Sequence, residues 1–203
     1  LRDLELHEGL HAYTHGAMKE SLRHIVGVQF RNCATVGGSI WGRFGFSDVL
    51  TMFLALDTEV ELFKGGRVCL WDFVKMPKDR DILVHIIVKK TPIKTAYLSQ
   101  RNTKTDFPVL ACCVSMSEDG MKAVYGARPS KAFLLEDEEN ILKDVQTLSE
   151  EEKKEAYEKF ADYAARKVPT SGNMRGSAKY RTLLVKVLTR RALEAVGGMT
   201  DEN

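Results

Sequence analysis

The segment Arg31-Asn32-Cys33-Ala34-Thr35-Val36-Gly37-Gly38-Ser39-Ile40, followed by Ser47-Asp48, gathers residue types that suit the binding of an anion. Gly37 and Gly38 carry no Cβ to hold a ligand away from the backbone N–H groups, and Thr35 and Ser39 offer hydroxyl donors. Asp48 to Leu56 reads as a helix, and Ser47 stands where its cap belongs. A turn of this kind becomes a phosphate site when its N–H groups converge on one point. A glycine pair is more often only a turn, so the motif needs support from the rest of the chain. Arg31 and Asn32 have a purely local use as well, because Asn tolerates a left-handed backbone and bonds to its own turn.

No nucleophile–base–orienter signature accompanies the motif: G-x-S-x-G and Walker sequences are missing. No residue is singled out as catalytic, which suits a protein whose chemistry belongs to a bound cofactor. His7, His11 and His15 recur at four-residue steps, a spacing that can put two imidazoles on one metal. No carboxylate or cysteine completes a ligand set, so they read as the solvated face of a helix and no metal is expected. Cys33, Cys69, Cys112 and Cys113 lack C-x-x-C spacing and read as reduced, mostly buried thiols, which points to the cytoplasm. Adjacent Cys112 and Cys113 on a strand would face opposite ways.

Composition excludes several classes. Lys and Arg number 30 against 28 Asp and Glu, too even for an electrostatic nucleic-acid binder. The 203 residues are 44% hydrophobic and 29% charged, as in a globular protein, and no apolar run is long enough to span a bilayer. The N-terminus lacks the pattern of a secretion signal, and Leu rather than Met at position 1 suggests a fragment or a late numbering.

The elements that must position the motif follow from periodicity. Leu4 to His24 reads as one helix with Leu10, Tyr13, Ala17 and Leu22 on its apolar side. Strands are expected at Glu59–Lys64, Arg67–Leu70, Ile82–Lys89, Lys94–Ser99, Phe107–Met116 and Met121–Tyr125, with a hairpin at Lys64-Gly65-Gly66-Arg67. Helices are expected at Asp137–Leu142, Ser149–Arg166 and Ser177–Val196. Ser149 and Glu152 form a capping box at the head of the second, and Glu150 to Lys159 reads as a solvated face held by i, i+4 pairs. This is an α+β chain, divided near Asp106 into residues 1–105 and 106–203.

The string from Gln29 to Leu62 resembles the second half of the FAD-binding subunit or domain of the molybdenum hydroxylases, the family of xanthine dehydrogenase and aerobic carbon monoxide dehydrogenase. "DILVHIIV" at Asp81–Val88, "RNTKTDFPVLACCVSM" at Arg101–Met116, "YGARPSKA" at Tyr125–Ala132 and the stretch Ser177–Val196 resemble later blocks of the same family, in order. The resemblance implies a second FAD-binding subdomain, built of a mixed or antiparallel sheet with helices, followed by a carbon monoxide dehydrogenase flavoprotein C-terminal-like domain of antiparallel sheet plus helices. It implies FAD contacts at Thr35, Val36, Gly37, Gly38, Ser39 and Gly42 around the phosphates and ribityl. Ser47 and Asp48 would lie beside the polar chain, and Ile82 and Leu83 would lay a strand against the ring. Arg101 and Lys104 either approach the flavin edge or are simply exposed, and exposure is the expected state. Ser39 replaces the family's Asn, which shortens a contacting side chain. Gly45 replaces its Pro, which should loosen a loop. The family's N-terminal half, with its Ala-Gly-Gly-Thr-Asp loop, has no counterpart in these residues.

The function so implied is electron transfer: from a molybdopterin subunit, through [2Fe-2S] clusters of an iron–sulfur subunit, to FAD and on to NAD or another acceptor. Alternatives are a docking module of such a complex that has lost flavin, and an α+β protein binding another phosphate ligand.

Overall fold

The structure, a computed structural model, describes residues 1–118 and 120–199. The expected first helix is broken into Arg2–Leu6 (α1), Glu8–Tyr13 (α2) and Ala17–Arg23 (α3). His7 leaves the helical region at ψ 96°, and its Nδ1 accepts from Leu10 N at 3.2 Å, capping α2. His15 and Gly16 then turn left-handed at φ +47° and +81°, a conformation only glycine adopts cheaply. His11 Nε2 pairs with Leu4 O at 3.4 Å and His15 Nε2 with Ile93 O at 3.1 Å. The imidazoles thus serve separate backbone groups instead of forming one solvated face. Among the described residues no group of three or more His, Cys, Asp or Glu is placed to hold a metal.

Gly27–Cys33 (α4) and Val36–Trp41 (α5) flank Ala34-Thr35, so Gly37 and Gly38 lie in the first turn of a short helix. Asp48–Ala55 (α6) forms as expected, with Ser47 Oγ accepting from Leu50 N at 3.1 Å. Every residue of α6 is buried, which a helix tolerates only when covered on all sides. Thr58–Leu62 (β1) and Gly66–Cys69 (β2) form the hairpin around a loop at Phe63-Lys64-Gly65, with Gly66 at φ +69°. Leu70–Lys75 (α7) leads to Leu83–Val88 (β3), giving an antiparallel sheet of order β2-β1-β3. The Asp81 carboxylate accepts from Lys64 N (2.9 Å), Gly65 N (2.8 Å) and Ile82 N (2.8 Å), which ties the loop to the head of β3. Ile82, expected as the first residue of this strand, instead precedes it at the sheet margin and is 64% exposed.

Ile93–Gln100 (β4), Leu110–Ser117 (β5), Gly120–Gly126 (β6) and Phe133–Glu136 (β7) make a second antiparallel sheet in chain order. β4, grouped by the sequence with the first half, pairs along its whole length with β5. Cys112, Val114 and Tyr125 face Glu150–Lys167 (α8) and Ala178–Gly197 (α9), whereas Tyr97, Ala111, Cys113 and Val124 join the core around α6. Burial on both faces explains the apolar run Leu110–Val114 in β5. Cys112 and Cys113 are buried on opposite faces as expected, but Cys33 and Cys69 are exposed. The Ser149/Glu152 capping box is present. The helix expected at Asp137–Leu142 is absent. The Asp137 carboxylate accepts from Ile141 N (2.9 Å) and Leu142 N (2.6 Å), and Asn140 and Asp144 turn left-handed at φ +54° and +55°, which closes a turn instead. No helix among the described residues is long and apolar enough to cross a membrane.

Candidate functional site

The heads of α5 and α6, the 42–47 turn, α4 and the 101–107 loop enclose a cleft of about 640 Å³. Thr35, Gly38, Ser39, Ser47 and Asp48 line it together with Arg101, Asp106 and His24. Thr35 Oγ1 accepts from Gly38 N at 2.9 Å, so the cap is satisfied from within, and the Thr35 hydroxyl hydrogen stays available. Ser39 Oγ donates to Thr35 O at 3.1 Å and presents acceptor capacity to the cleft. A Cβ at Gly38 would stand 2.9 Å from Thr35 Oγ1, so glycine is needed for this tight cap.

Arg101 overturns the expectation of exposure: its side chain is 7% exposed and its NH2 donates to Asp48 Oδ1 at 2.5 Å. NH1 donates to Asp106 O at 2.6 Å and Nε to Ser99 Oγ at 3.3 Å. One N–H remains on each terminal nitrogen for a ligand. Tyr97 Oη donates to the same Asp48 oxygen. Burial pushes the Asp48 carboxyl above its ordinary range, against the pull of Arg101 and Tyr97. Lys104, in contrast, is exposed.

The rim is aromatic. Phe44 stacks on Phe46 at 5.2 Å, and Phe46 meets Phe107 edge-on at 4.5 Å, yet Phe44, Phe46, Phe107 and Phe30 are 51%, 42%, 48% and 51% exposed. An apolar patch of this extent around a cleft marks a binding surface. Gly42 admits the Phe44 ring, which would lie 2.6 Å from a Cβ there. Gly45 does the opposite of loosening its loop: a Cβ would fall 1.9 Å from Ser130 O, and Ala127 N donates to Gly45 O at 2.6 Å. Arg43 fixes the same turn, donating to Met76 O at 2.6 Å with its guanidinium 3.9 Å from the Phe73 ring.

Val36, Gly37, Gly42, Ile82 and Leu83 do not line the cleft. Leu83 backs the glycine pair from outside, 3.9 Å from where a Gly37 Cβ would be. Sequence reasoning missed His24 and the aromatic rim. Burial and the nearby Arg23 hold the His24 imidazole below its ordinary value, against the pull of Glu20. Its buried Nδ1 has no hydrogen-bond partner among the described residues. A buried polar nitrogen without a partner calls for an explanation, and the adjoining cleft offers one.

Behind the cleft, α4 is held by a buried ion pair. Arg31 Nε and NH2 donate to the Glu5 carboxylate at 2.8 and 3.1 Å, and NH1 to Ile25 O at 2.6 Å. Burial raises the Glu5 carboxyl, but the Arg31 and Arg2 bonds outweigh it and leave it below 4.5. A lowered carboxyl stabilises the fold above its unfolded value and loses that contribution as pH falls through the folded one. Glu5→Gln is expected to cost about 3 kcal/mol at neutral pH by stranding Arg31. Urea unfolding of both proteins at neutral pH and at about pH 3 should show the gap closing in acid.

Comparison with known proteins assigns this architecture. A family profile described as "CO dehydrogenase flavoprotein C-terminal domain" matches residues 95–196, and one described as "FAD binding domain in molybdopterin dehydrogenase" matches residues 3–91. The chain belongs to this family of FAD-binding molybdenum hydroxylase components. Among sequence relatives, "Uncharacterized protein YgfM" of Escherichia coli (strain K12) is 32% identical over 124 residues, 61% of this chain and 48% of that protein. The chain thus spans about half the length of that relative. Among solved structures, reconstituted CO dehydrogenase from Oligotropha carboxidovorans has a TM-score of 0.79 at 19% identity, covering 98% of this chain and 73% of that one. Quinoline 2-oxidoreductase from Pseudomonas putida 86 has a TM-score of 0.79 at 16% identity, covering 97% and 71%. These likenesses extend the shared fold across both halves.

Proposed function

We propose that this chain is the FAD-binding electron-transfer component of a molybdenum hydroxylase-like oxidoreductase, and that the cleft forms one wall of the FAD site. The observation that carries the reading is the meeting, in one aromatic-rimmed cleft, of the Thr35–Ser39 turn, Ser47-Asp48 and Arg101. The residues present fit the group. His24 Nδ1 lacks a partner among the described residues, the Thr35 and Ser47 hydroxyls have a hydrogen to donate while their oxygens cap α5 and α6, and Arg101 has spare N–H groups for an anionic chain. The exposed phenylalanines offer apolar cover for a planar ring. Val36, Gly37 and Gly42 would act by shaping the turn, and Leu83 by backing it. FAD, when bound, supplies the redox chemistry; the protein binds, orients and tunes. Electrons would arrive from an iron–sulfur subunit carrying [2Fe-2S] clusters, served by a molybdopterin subunit, and leave to NAD or another acceptor, in the cytoplasm.

Titration of FAD into the full chain, followed by flavin fluorescence and by the visible bands at about 370 and 450 nm, tests this directly. Saturable binding is expected, and Arg101→Ala should weaken it about tenfold, the worth of one charge-assisted hydrogen bond. Wild-type protein that leaves the flavin signal unchanged would overturn the reading in favour of a docking module without flavin.

A further inference from the structure

We propose that Arg181 and Arg175, in the C-terminal half and outside the cleft, are positioning residues for it: together they fasten the 101–107 loop through the 171–176 turn. The purpose of this clasp rests on the FAD reading above; its mechanics rest on hydrogen bonds alone. Arg181 on α9 is fully buried, and among the described residues no carboxylate pairs with it. Its Nε donates to Val109 O at 2.8 Å, where the 101–107 loop runs into β5. NH1 donates to Ser171 O (2.8 Å) and Gly176 O (2.5 Å), and NH2 to Asn173 Oδ1 (2.6 Å). One planar guanidinium therefore fixes both ends of the turn and the root of the cleft loop, a geometry that a point-like ammonium cannot reproduce.

The turn in turn grips the loop. Asn173 and Gly176 exchange backbone bonds at 3.0 and 3.1 Å, which presents Arg175 to Asp106. Arg175 Nε lies 3.2 Å from both Asp106 oxygens and NH2 lies 3.0 Å from Oδ1, a forked pairing, with the guanidinium 5.2 Å from the Phe107 ring centroid. Asn102 Nδ2 donates back to Arg175 O at 3.1 Å. The Arg175 bond and the Phe107 N–H hold the Asp106 carboxyl below its ordinary range. The carbonyl of Asp106 is the acceptor for Arg101 NH1. A continuous chain of bonds thus runs from α9 to Arg101, which lines the cleft.

The test uses the full chain and three variants: Arg175→Ala, Arg175→Lys and Arg181→Lys. Amide hydrogen exchange across residues 101–108 is expected to speed up about tenfold in Arg175→Ala and Arg181→Lys, the loss of roughly one charge-assisted hydrogen bond. Exchange in β1 and β3 should stay unchanged. FAD affinity should fall by a similar factor in both, while Arg175→Lys, which keeps the charge beside Asp106, restores part of it. Unchanged exchange in the loop overturns the clasp, and so does a loosened loop that binds FAD with wild-type affinity. Failure of the wild type to bind FAD overturns the proposed function instead, and the exchange rates then decide the clasp by themselves.

Discussion

Asp48→Ala is expected to destabilise the fold by about 4 kcal/mol, because it leaves the Arg101 guanidinium buried without its counter-charge. The same change removes the acceptor of the Tyr97 hydroxyl, which is itself fully enclosed. Asp48→Asn should cost less, since an amide oxygen still accepts from Tyr97. The double replacement Asp48→Leu with Arg101→Met separates stability from function. Burial raises the Asp48 carboxyl above 3.8 in spite of Arg101. A raised acid contributes stability only below its unfolded pKa and loses it as pH rises through the folded value, so at neutral pH the ionised Asp48 is less favourable in the fold than in water, and a buried ion pair of this kind is commonly no more stable than an apolar pair of similar size. The double variant should therefore unfold within about 1 kcal/mol of the wild type, or later, as buried pairs replaced by apolar residues do. It should nevertheless bind FAD much more weakly. Urea unfolding of the four proteins, paired with FAD titration, checks both halves. A double variant as unstable as Asp48→Ala would sink the account of the pair as a binding device held at the expense of stability.

How much of this was legible in the sequence depends on the range over which each feature is encoded. Ser47 before Asp48 and Ser149 three residues before Glu152 are local codes, and both helix starts appear where the sequence puts them. The opposite burial of Cys112 and Cys113 follows from the two-residue period of a strand. The break of the first helix at His7 and at His15-Gly16 is also local, but the histidines' four-residue spacing imitates a helix face while their rings bond backbone groups. Arg101 could not be read, because Asp48 lies 53 residues away and only the tertiary fold brings the two together. The aromatic rim is scattered over residues 30, 44, 46 and 107 with no shared period. Ile82 misled for a simpler reason: an apolar residue next to a strand reads as part of its core face, and the strand begins one residue later.

Gly45 shows the same limit in its sharpest form, and it leads to the second large effect. By sequence a glycine in place of the family's proline promises slack. In the fold, the 126–130 segment leaving β6 presses onto this residue, and the Ser130 carbonyl occupies the position a side chain would take. Gly45→Ala is expected to cost about 3 kcal/mol, since neither backbone can move without breaking the Ala127 N to Gly45 O bond. The damage should reach the cleft as well, because Phe44 and Phe46 flank Gly45 and form two of the three contacting rings of the rim. FAD affinity is expected to fall with stability in this variant. Gly16→Ala supplies the contrast: nothing lies within 4 Å of its added Cβ, and only the left-handed φ of +81° is strained, a cost of about 1 kcal/mol with no effect on FAD. Thermal unfolding and FAD titration of the two variants side by side would distinguish crowding at the cleft from backbone strain far from it. Equal losses in both would mean that the contact with Ser130 carries no weight in shaping the site.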